Sequence, residues 1–215
     1  MERVERACDR AGRLREDVTV VAVSKTKTVE EIFDVYELGH RDFGENRTAE
    51  LVEKAPELPD DIRWHFVGAL QSRKAREVRP IAWLLHSMDR RSLGSAWMKG
   101  RGHPPPVLAQ VNVGDEPQKS GLAPADVPAG LDWMFEIGLD VRGLMAIPPI
   151  PYTPEDSRRP FIELRRLRDQ LLADHPGVRD LSIGMTDDFE VAIEEGASII
   201  RVGRAIFGPR NSTGA

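Results

Sequence analysis

Lysine is scarce in this chain: six residues out of 30 Lys and Arg. Arginine is the habitual cation, so a lysine beside an apolar run needs a reason. Of the two, only lysine readily becomes a neutral amine nucleophile. Lys25 directly follows Val20-Val21-Ala22-Val23-Ser24. A partly desolvated amine there has a lowered pKa and can condense with an aldehyde to a Schiff base. The plainer reading of the same segment is a solvated lysine at a strand end. Lys27, two positions on along an extended segment, would share the face of Lys25 and depress its pKa further. Gly203-Arg204 follows a second apolar run, with Ser182 and Gly184 on the run before it. Backbone amides beside such a glycine can cradle a phosphate, although most such glycines simply make tight turns. Arg201 stands inside Ile199-Ile200-Arg201-Val202-Gly203. Pointing inward, it requires an acceptor: the partner of a structural ion pair, or a ligand's ring nitrogen.

Other chemistries find less support. The histidines at 40, 65, 86, 103 and 175 show no metal-binding spacing, and Gly-x-Gly-x-x-Gly, Walker and Gly-x-Ser-x-Gly motifs are absent. Asp187-Asp188 reads as a helix N-terminal cap, and the Arg-rich stretch 158–168 as a solvated face. A net charge of -5 argues against a nucleic-acid partner. Cys8 is the only cysteine, which excludes an internal disulfide or a Cys-based zinc site. The first residues lack the apolar segment of a secretory signal, and no run is long enough to span a membrane. The expectation is a cytoplasmic protein.

The elements that must position these residues recur regularly. Apolar, β-branched runs at 18–23, 41–44, 64–67, 84–88, 107–113, 141–146, 180–184 and 199–203 predict eight strands. Between them lie helical patterns. Phe161, Leu164, Leu167 and Leu171 form one stripe, Val29–Leu38 ends at Gly39, and a helix opening near Thr186 ends at Gly196. The loop 99–106 reads as a surface connection within one domain. Strand and helix alternating eight times in about 200 residues predict an α/β fold, a single (β/α)8 TIM barrel across 1–215. An open doubly wound sheet is the competitor. In a barrel, chemistry sits at the C-terminal ends of strands, where Ser24–Lys27, Gly44–Asn46, His65–Gly68, Asn112, Met145–Pro148, Gly184–Thr186 and Gly203-Arg204 fall.

Seven blocks of residues resemble a known family in order and spacing. They are Val21–Lys27, Phe43–Asn46, Trp64–Ser72, Lys119-Ser120-Gly121, Gly143–Pro148, Leu181–Asp188 and Arg201–Gly208. They are similar to the pyridoxal phosphate homeostasis proteins (the YggS/PROSC family), and the match runs from about residue 18 to 210. The resemblance implies a fold-type III barrel like the N-terminal domain of alanine racemase, with pyridoxal 5′-phosphate (PLP) as cofactor. It makes Lys25 the Schiff-base lysine. It puts Ser182, Gly203 and Arg204 at the cofactor phosphate, Arg201 at the pyridine nitrogen, and Asn46, His65 and Met145 around the ring. Lys119 matches a lysine proposed to accept PLP during transfer. Two departures stand out. The family more often has Thr at the position of Arg204, where a cation either strengthens phosphate binding or swings out and leaves only the backbone amide. The segment before Val18 is short, implying a partial or frayed first helix over 1–17, with a flexible tail at 209–215.

The chemistry follows from Arg201. A protonated arginine only donates, so a pyridine nitrogen facing it stays unprotonated and the ring becomes a poorer electron sink. Transamination is thereby disfavoured. Racemisation needs proton-transfer groups on both faces of the substrate, and Tyr36 and Tyr152 are the only tyrosines. Tyr152, in the loop after the sixth strand, is the one to watch. The reading is a non-catalytic PLP carrier, with PLP-requiring apo-enzymes as candidate recipients and a monomer or weak dimer as its form. A low-activity amino-acid racemase is the alternative.

Overall fold

Each of the eight apolar runs forms a strand in the computed structural model, which describes residues 1–114 and 120–208. The strands are β1 (Thr19–Val23), β2 (Asp42–Glu45), β3 (Arg63–Phe66), β4 (Ala82–Met88), β5 (Val107–Val111), β6 (Val141–Ala146), β7 (Asp180–Ser182) and β8 (Ile199–Val202). All pair in parallel in chain order. β8 closes onto β1 through Thr19↔Ile199, Val20↔Ile200, Val21↔Arg201 and Ala22↔Val202. That closure excludes the open sheet and gives the (β/α)8 barrel.

Helices α2 (Val29–Glu37), α3 (Thr48–Lys54), α4 (Ala75–Val78), α5 (Arg91–Met98), α6 (Val127–Glu136), α7 (Arg158–Leu171) and α8 (Phe189–Glu194) fill the seven crossovers. Thr28 and Glu31 form a reciprocal capping box at the start of α2. On α7 the predicted stripe faces inward, with Phe161, Leu164 and Leu171 buried. Its arginine side is not merely solvated. Arg158 pairs with Glu194 at 2.7 Å and Glu195 at 2.6 Å, and Arg165 with Glu195 at 3.1 Å, tying α7 to the end of α8.

After β8 only one helical turn remains before residue 208, α9 (Arg204–Phe207). The chain start occupies part of the outer ring instead. The segment expected to be partial or frayed forms α1 (Glu2–Ala11), ended by Gly12 in the left-handed conformation. It is held to α8 by Arg3–Glu190 and Arg10–Glu194, both 2.8 Å, with Arg3 4.6 Å above the Phe189 ring. The tail at 209–215 lies outside the described residues. The loop 99–106 is pinned to the body: Arg79 donates to the carbonyls of Arg101 (2.9 Å) and Gly102 (2.6 Å), and the buried Trp97 to that of Pro105 (3.0 Å). No helix among the described residues is long and apolar enough to cross a membrane.

Strand alternation sorts side chains between two cores. Val20, Ala22, Phe43, Trp64 and Leu85 join the layer between strands and helices, whereas Val21, Leu84, Leu108, Met145 and Ile199 form a small separate cluster inside the barrel. Gly143 marks a close approach of neighbouring strands: a Cβ there would lie 2.1 Å from the carbonyl oxygen of Asp180. Gly143→Ala must push β6 from β7. We expect it to destabilise the fold by about 1–3 kcal/mol, read as a lower urea midpoint at unchanged slope. An unchanged midpoint would contradict the tight packing.

Candidate functional site

The loops following the strands enclose a cavity of about 620 Å³ at the C-terminal mouth of the barrel. Its wall includes Lys25 after β1, Asn46 after β2, Gly68 after β3, Asn112 after β5, Thr186 after β7 and Gly203 after β8. This size suits a cofactor or small metabolite.

Lys25 is presented by a tight turn rather than an extended segment. The Lys27 amide donates to the Ser24 carbonyl at 3.0 Å, and Thr26, between them, has φ of 65°. Positive φ is costly for a β-branched residue and persists only where the surroundings impose it. Here α3 imposes it. Glu50 accepts the Thr26 amide at 2.7 Å, and the Lys54 ammonium donates to the Ser24 carbonyl (3.1 Å), Glu45 (2.8 Å) and Glu50 (2.8 Å). The Ser24 hydroxyl donates to the same Glu45 oxygen at 2.8 Å. Burial pushes the Glu45 carboxyl above its ordinary pKa, against the opposing pull of Lys54. The turn also redirects Lys27. Its ammonium is held by Glu31 at 2.9 Å and the Phe207 carbonyl at 3.1 Å, so it closes the loop after β8 instead of standing beside Lys25 as a spare amine.

Arg201 reaches the cavity from inside the barrel while itself buried. Its guanidinium donates to the Ser182 carbonyl (2.5 Å), the Ser182 hydroxyl (2.6 Å) and the Ala146 carbonyl (2.8 Å). Among the described residues no carboxylate bonds to it, so none of them makes a structural ion pair with it. Burial draws its pKa down to about 10, with Asp188 opposing the shift. It remains a cation near neutral pH, and its remaining N–H groups are available to a ligand.

The turn into α9 supplies backbone amides. The first amides of a helix lack intrahelical acceptors, and Gly203 and Arg204, where α9 begins, both line the cavity. The Arg204 guanidinium pairs with Asp187, another residue of the cavity wall. Asp188 stands at the N-cap of α8 as expected, but its side chain makes no capping bond. Its carboxylate accepts from the Met185 amide and the Ser157 hydroxyl, both at 2.7 Å, and so shapes the loop after β7.

Of the eight residues singled out by sequence, Lys25, Asn46, Arg201, Gly203 and Arg204 converge on the cavity, whereas His65, Met145 and Ser182 lie one layer below. Met145 belongs to the apolar cluster inside the barrel, and His65 bonds to His86 and Asp42. Ser182 is fully buried under Arg201, so the hydroxyl on the cavity wall after β7 is that of Thr186 instead. Gly184, with φ of 86°, packs against α8, where a Cβ would lie 2.5 Å from that of Ala192. Asn46 Oδ1 is buried with no hydrogen-bond partner among the described residues, an acceptor left for a ligand or a ligand-bound water. Tyr152 is fully exposed and off this wall, and Tyr36 bonds to Asp61 on the outer surface. Lys119 lies outside the described residues.

No family model matches the chain. Among curated proteins it is 40% identical over 216 residues to the pyridoxal phosphate homeostasis protein of Aquifex aeolicus, covering 98% of this chain and 95% of that one. Among solved structures it is similar to PipY of Synechococcus elongatus with PLP bound, at 34% identity and a TM-score of 0.81, covering 96% of this chain and all of that one. A lysine/ornithine decarboxylase from Vibrio vulnificus, 16% identical with a TM-score of 0.67, covers 94% of this chain and 60% of its own and shares the barrel fold alone. Matched nearly end to end by curated relatives at 36–41% identity, the chain belongs to the pyridoxal phosphate homeostasis protein family.

Proposed function

We propose that the chain binds PLP at the barrel mouth and holds it reversibly on Lys25, as a cytoplasmic homeostasis protein without turnover. The observation that carries this reading is the placing of Arg201, a buried cation with no carboxylate partner among the described residues, on the same cavity wall as Lys25. When bound, PLP supplies an aldehyde that condenses reversibly with an amine. In this reading Lys25 provides the amine, Arg201 donates to the pyridine nitrogen, and Asn46 faces the ring's polar edge. The amides following Gly203 and the Thr186 hydroxyl hold the phosphate. Each suits its partner: donors for the anionic phosphate, and a donor-only group for an unprotonated ring nitrogen. Ser182, His65 and Met145 then act from beneath, through Arg201 and the barrel packing.

A carrier needs a strong hold and little chemistry. Because Arg201 remains protonated, it gives the ring no proton and leaves it a weak electron sink. Racemisation would further require an acid on the second face, and among the described residues no tyrosine lines the cavity. PLP-requiring apo-enzymes are the recipients this reading supposes. The test is an absorption spectrum of the protein with added PLP, followed by borohydride reduction and peptide mapping. We expect an imine band and a reduced adduct on Lys25, with no racemase activity, and with Tyr152→Phe indistinguishable from the parent. Absence of band and adduct would refute PLP binding. Racemase activity abolished by Tyr152→Phe would refute the non-catalytic assignment.

A further inference from the structure

Five strands contribute to a line of hydrogen bonds running through the barrel toward the cavity. The Arg201 guanidinium meets Ser182 Oγ at 2.6 Å, and Ser182 Oγ lies 2.8 Å from His86 Nδ1. His86 Nε2 lies 3.0 Å from His65 Nδ1, and His65 Nε2 lies 3.1 Å from Asp42 Oδ1. Ser182 and His86 are completely buried and His65 nearly so. The His86–Ser182 bond crosses from β4 to β7, strands that are not neighbours, so it spans the barrel interior. Asp42 and Arg63, at the starts of β2 and β3, anchor the far end, with Arg63 Nε 2.8 Å from Asp42 Oδ1. Histidines in an otherwise apolar interior cost desolvation unless each nitrogen is paired, and here all four are.

For singly protonated rings, the Asp42 end fixes the direction of the bonds back to Ser182. Arg201 can only donate and an ionised Asp42 can only accept. Although burial raises the Asp42 carboxyl, hydrogen bonds from Arg63 and His65 outweigh it and hold the group well below the usual carboxylate range. Burial pushes the His86 imidazole well below its usual pKa, which leaves it one proton. With one proton on each ring, a single arrangement satisfies the line. Arg201 donates to Ser182, Ser182 to His86 Nδ1, His86 Nε2 to His65 Nδ1, and His65 Nε2 to Asp42.

We propose that His86, with His65 and Ser182, is a positioning residue for the ligand-facing edge of Arg201. The line holds the Ser182 oxygen as an acceptor toward Arg201, which directs the remaining guanidinium protons into the cavity. This inference rests on the PLP reading above, where those protons meet the ring nitrogen. Interrupting the line frees the Ser182 hydroxyl to rotate and lets Arg201 turn, so the ring nitrogen loses an aligned donor while Lys25 and the phosphate contacts stay in place.

Two measurements test it. In protein without PLP, the ¹⁵N shifts of the histidine rings at neutral pH should show both His65 and His86 carrying a single proton on Nε2. Either ring with its proton on Nδ1, or His65 doubly protonated, overturns the assignment. In the second, PLP is titrated into His86→Leu, His86→Gln and Ser182→Ala, reading affinity and the position of the imine band. A glutamine places an acceptor and a donor about as far apart as the two imidazole nitrogens, so it can restore the line. We expect His86→Leu and Ser182→Ala to bind PLP roughly tenfold more weakly with a shifted band, and His86→Gln to approach the parent. Parent-like binding by His86→Leu, or equal impairment by Leu and Gln, overturns the proposal. If His86→Leu fails to fold, Ser182→Ala decides it, since that change removes one oxygen and little volume. Loss of the Lys25 adduct in the parent itself would instead refute PLP binding, a result separable from every variant outcome.

Discussion

Lys25→Ala should take up no PLP that borohydride can fix, and its imine band should disappear. The expected loss is of the covalent step alone. Arg201, Thr186 and the amides after Gly203 remain, so the variant should still retain PLP weakly, in a form that dialysis removes. No other described lysine can replace the amine without rearrangement. Lys54 is buried among Glu45, Glu50 and the Ser24 carbonyl. Lys27 is held by Glu31 and the Phe207 carbonyl. Lys27→Met should therefore keep the adduct on Lys25, although the loop after β8 loses a tether. The measurement is the mass of the reduced protein, followed by peptide mapping. A stoichiometric adduct persisting in Lys25→Ala would move the nucleophile elsewhere. An adduct lost equally in Lys27→Met would mean that the two lysines act together, as the extended-segment reading supposed.

The barrel was legible because its strands are buried on both faces and therefore read as continuous β-branched runs. Its helices show a 3.6-residue stripe, as along Phe161, Leu164 and Leu171. Lys25 and Arg201 were legible for a related reason: a cation inside or just after an apolar run is conspicuous against it. Depth along the barrel axis was not legible. Ser182 and Thr186 are both hydroxyls near the end of β7, and only strand tilt and register decide which reaches the cavity and which sits under Arg201. His65 and Met145 were displaced by the same cause, each lying one layer deeper than a strand-end count suggests. His86 carries a signal of its own in the sequence. It shares the parity of Leu84 on β4, so an inward position, and hence a need for polar partners inside the barrel, followed from alternation alone. The turn at Lys25 was concealed by Thr26, because positive φ is usually announced by glycine. Its cause lies about 25 residues away in Glu50 and Lys54, a long-range partnership no local pattern encodes.

That partnership carries the second large effect. Lys54→Met should destabilise the protein by about 3–5 kcal/mol near pH 7, the usual cost of leaving one member of a buried ion pair alone. Glu45 is the member left behind, wholly buried, with its second carboxylate oxygen already lacking a hydrogen-bond partner among the described residues. The pH dependence identifies it. Burial raises the Glu45 pKa above its ordinary value of 4.5 even with Lys54 present, and removing Lys54 deletes the main opposing influence. A carboxyl whose pKa is higher folded than unfolded binds more protons when native, so stability falls as pH rises through that interval and returns on acidification. Urea titrations at pH 7 and pH 5 should therefore show the deficit of Lys54→Met, relative to the parent, shrinking at the lower pH. Adding Glu45→Gln should recover much of the pH 7 loss, because a neutral amide costs less to bury than a carboxylate. A deficit equal at both pH values, and unrelieved by Glu45→Gln, would assign the loss to packing of the α3 terminus instead. The site should register the change as well. Without the ammonium on the Ser24 carbonyl, Thr26 keeps its bond to Glu50, but Glu50 and Ser24 each lose the Lys54 tether and the turn that presents Lys25 loosens. Adduct formation in the folded fraction of Lys54→Met should then be slowed, although Lys54 is not among the residues that line the cavity.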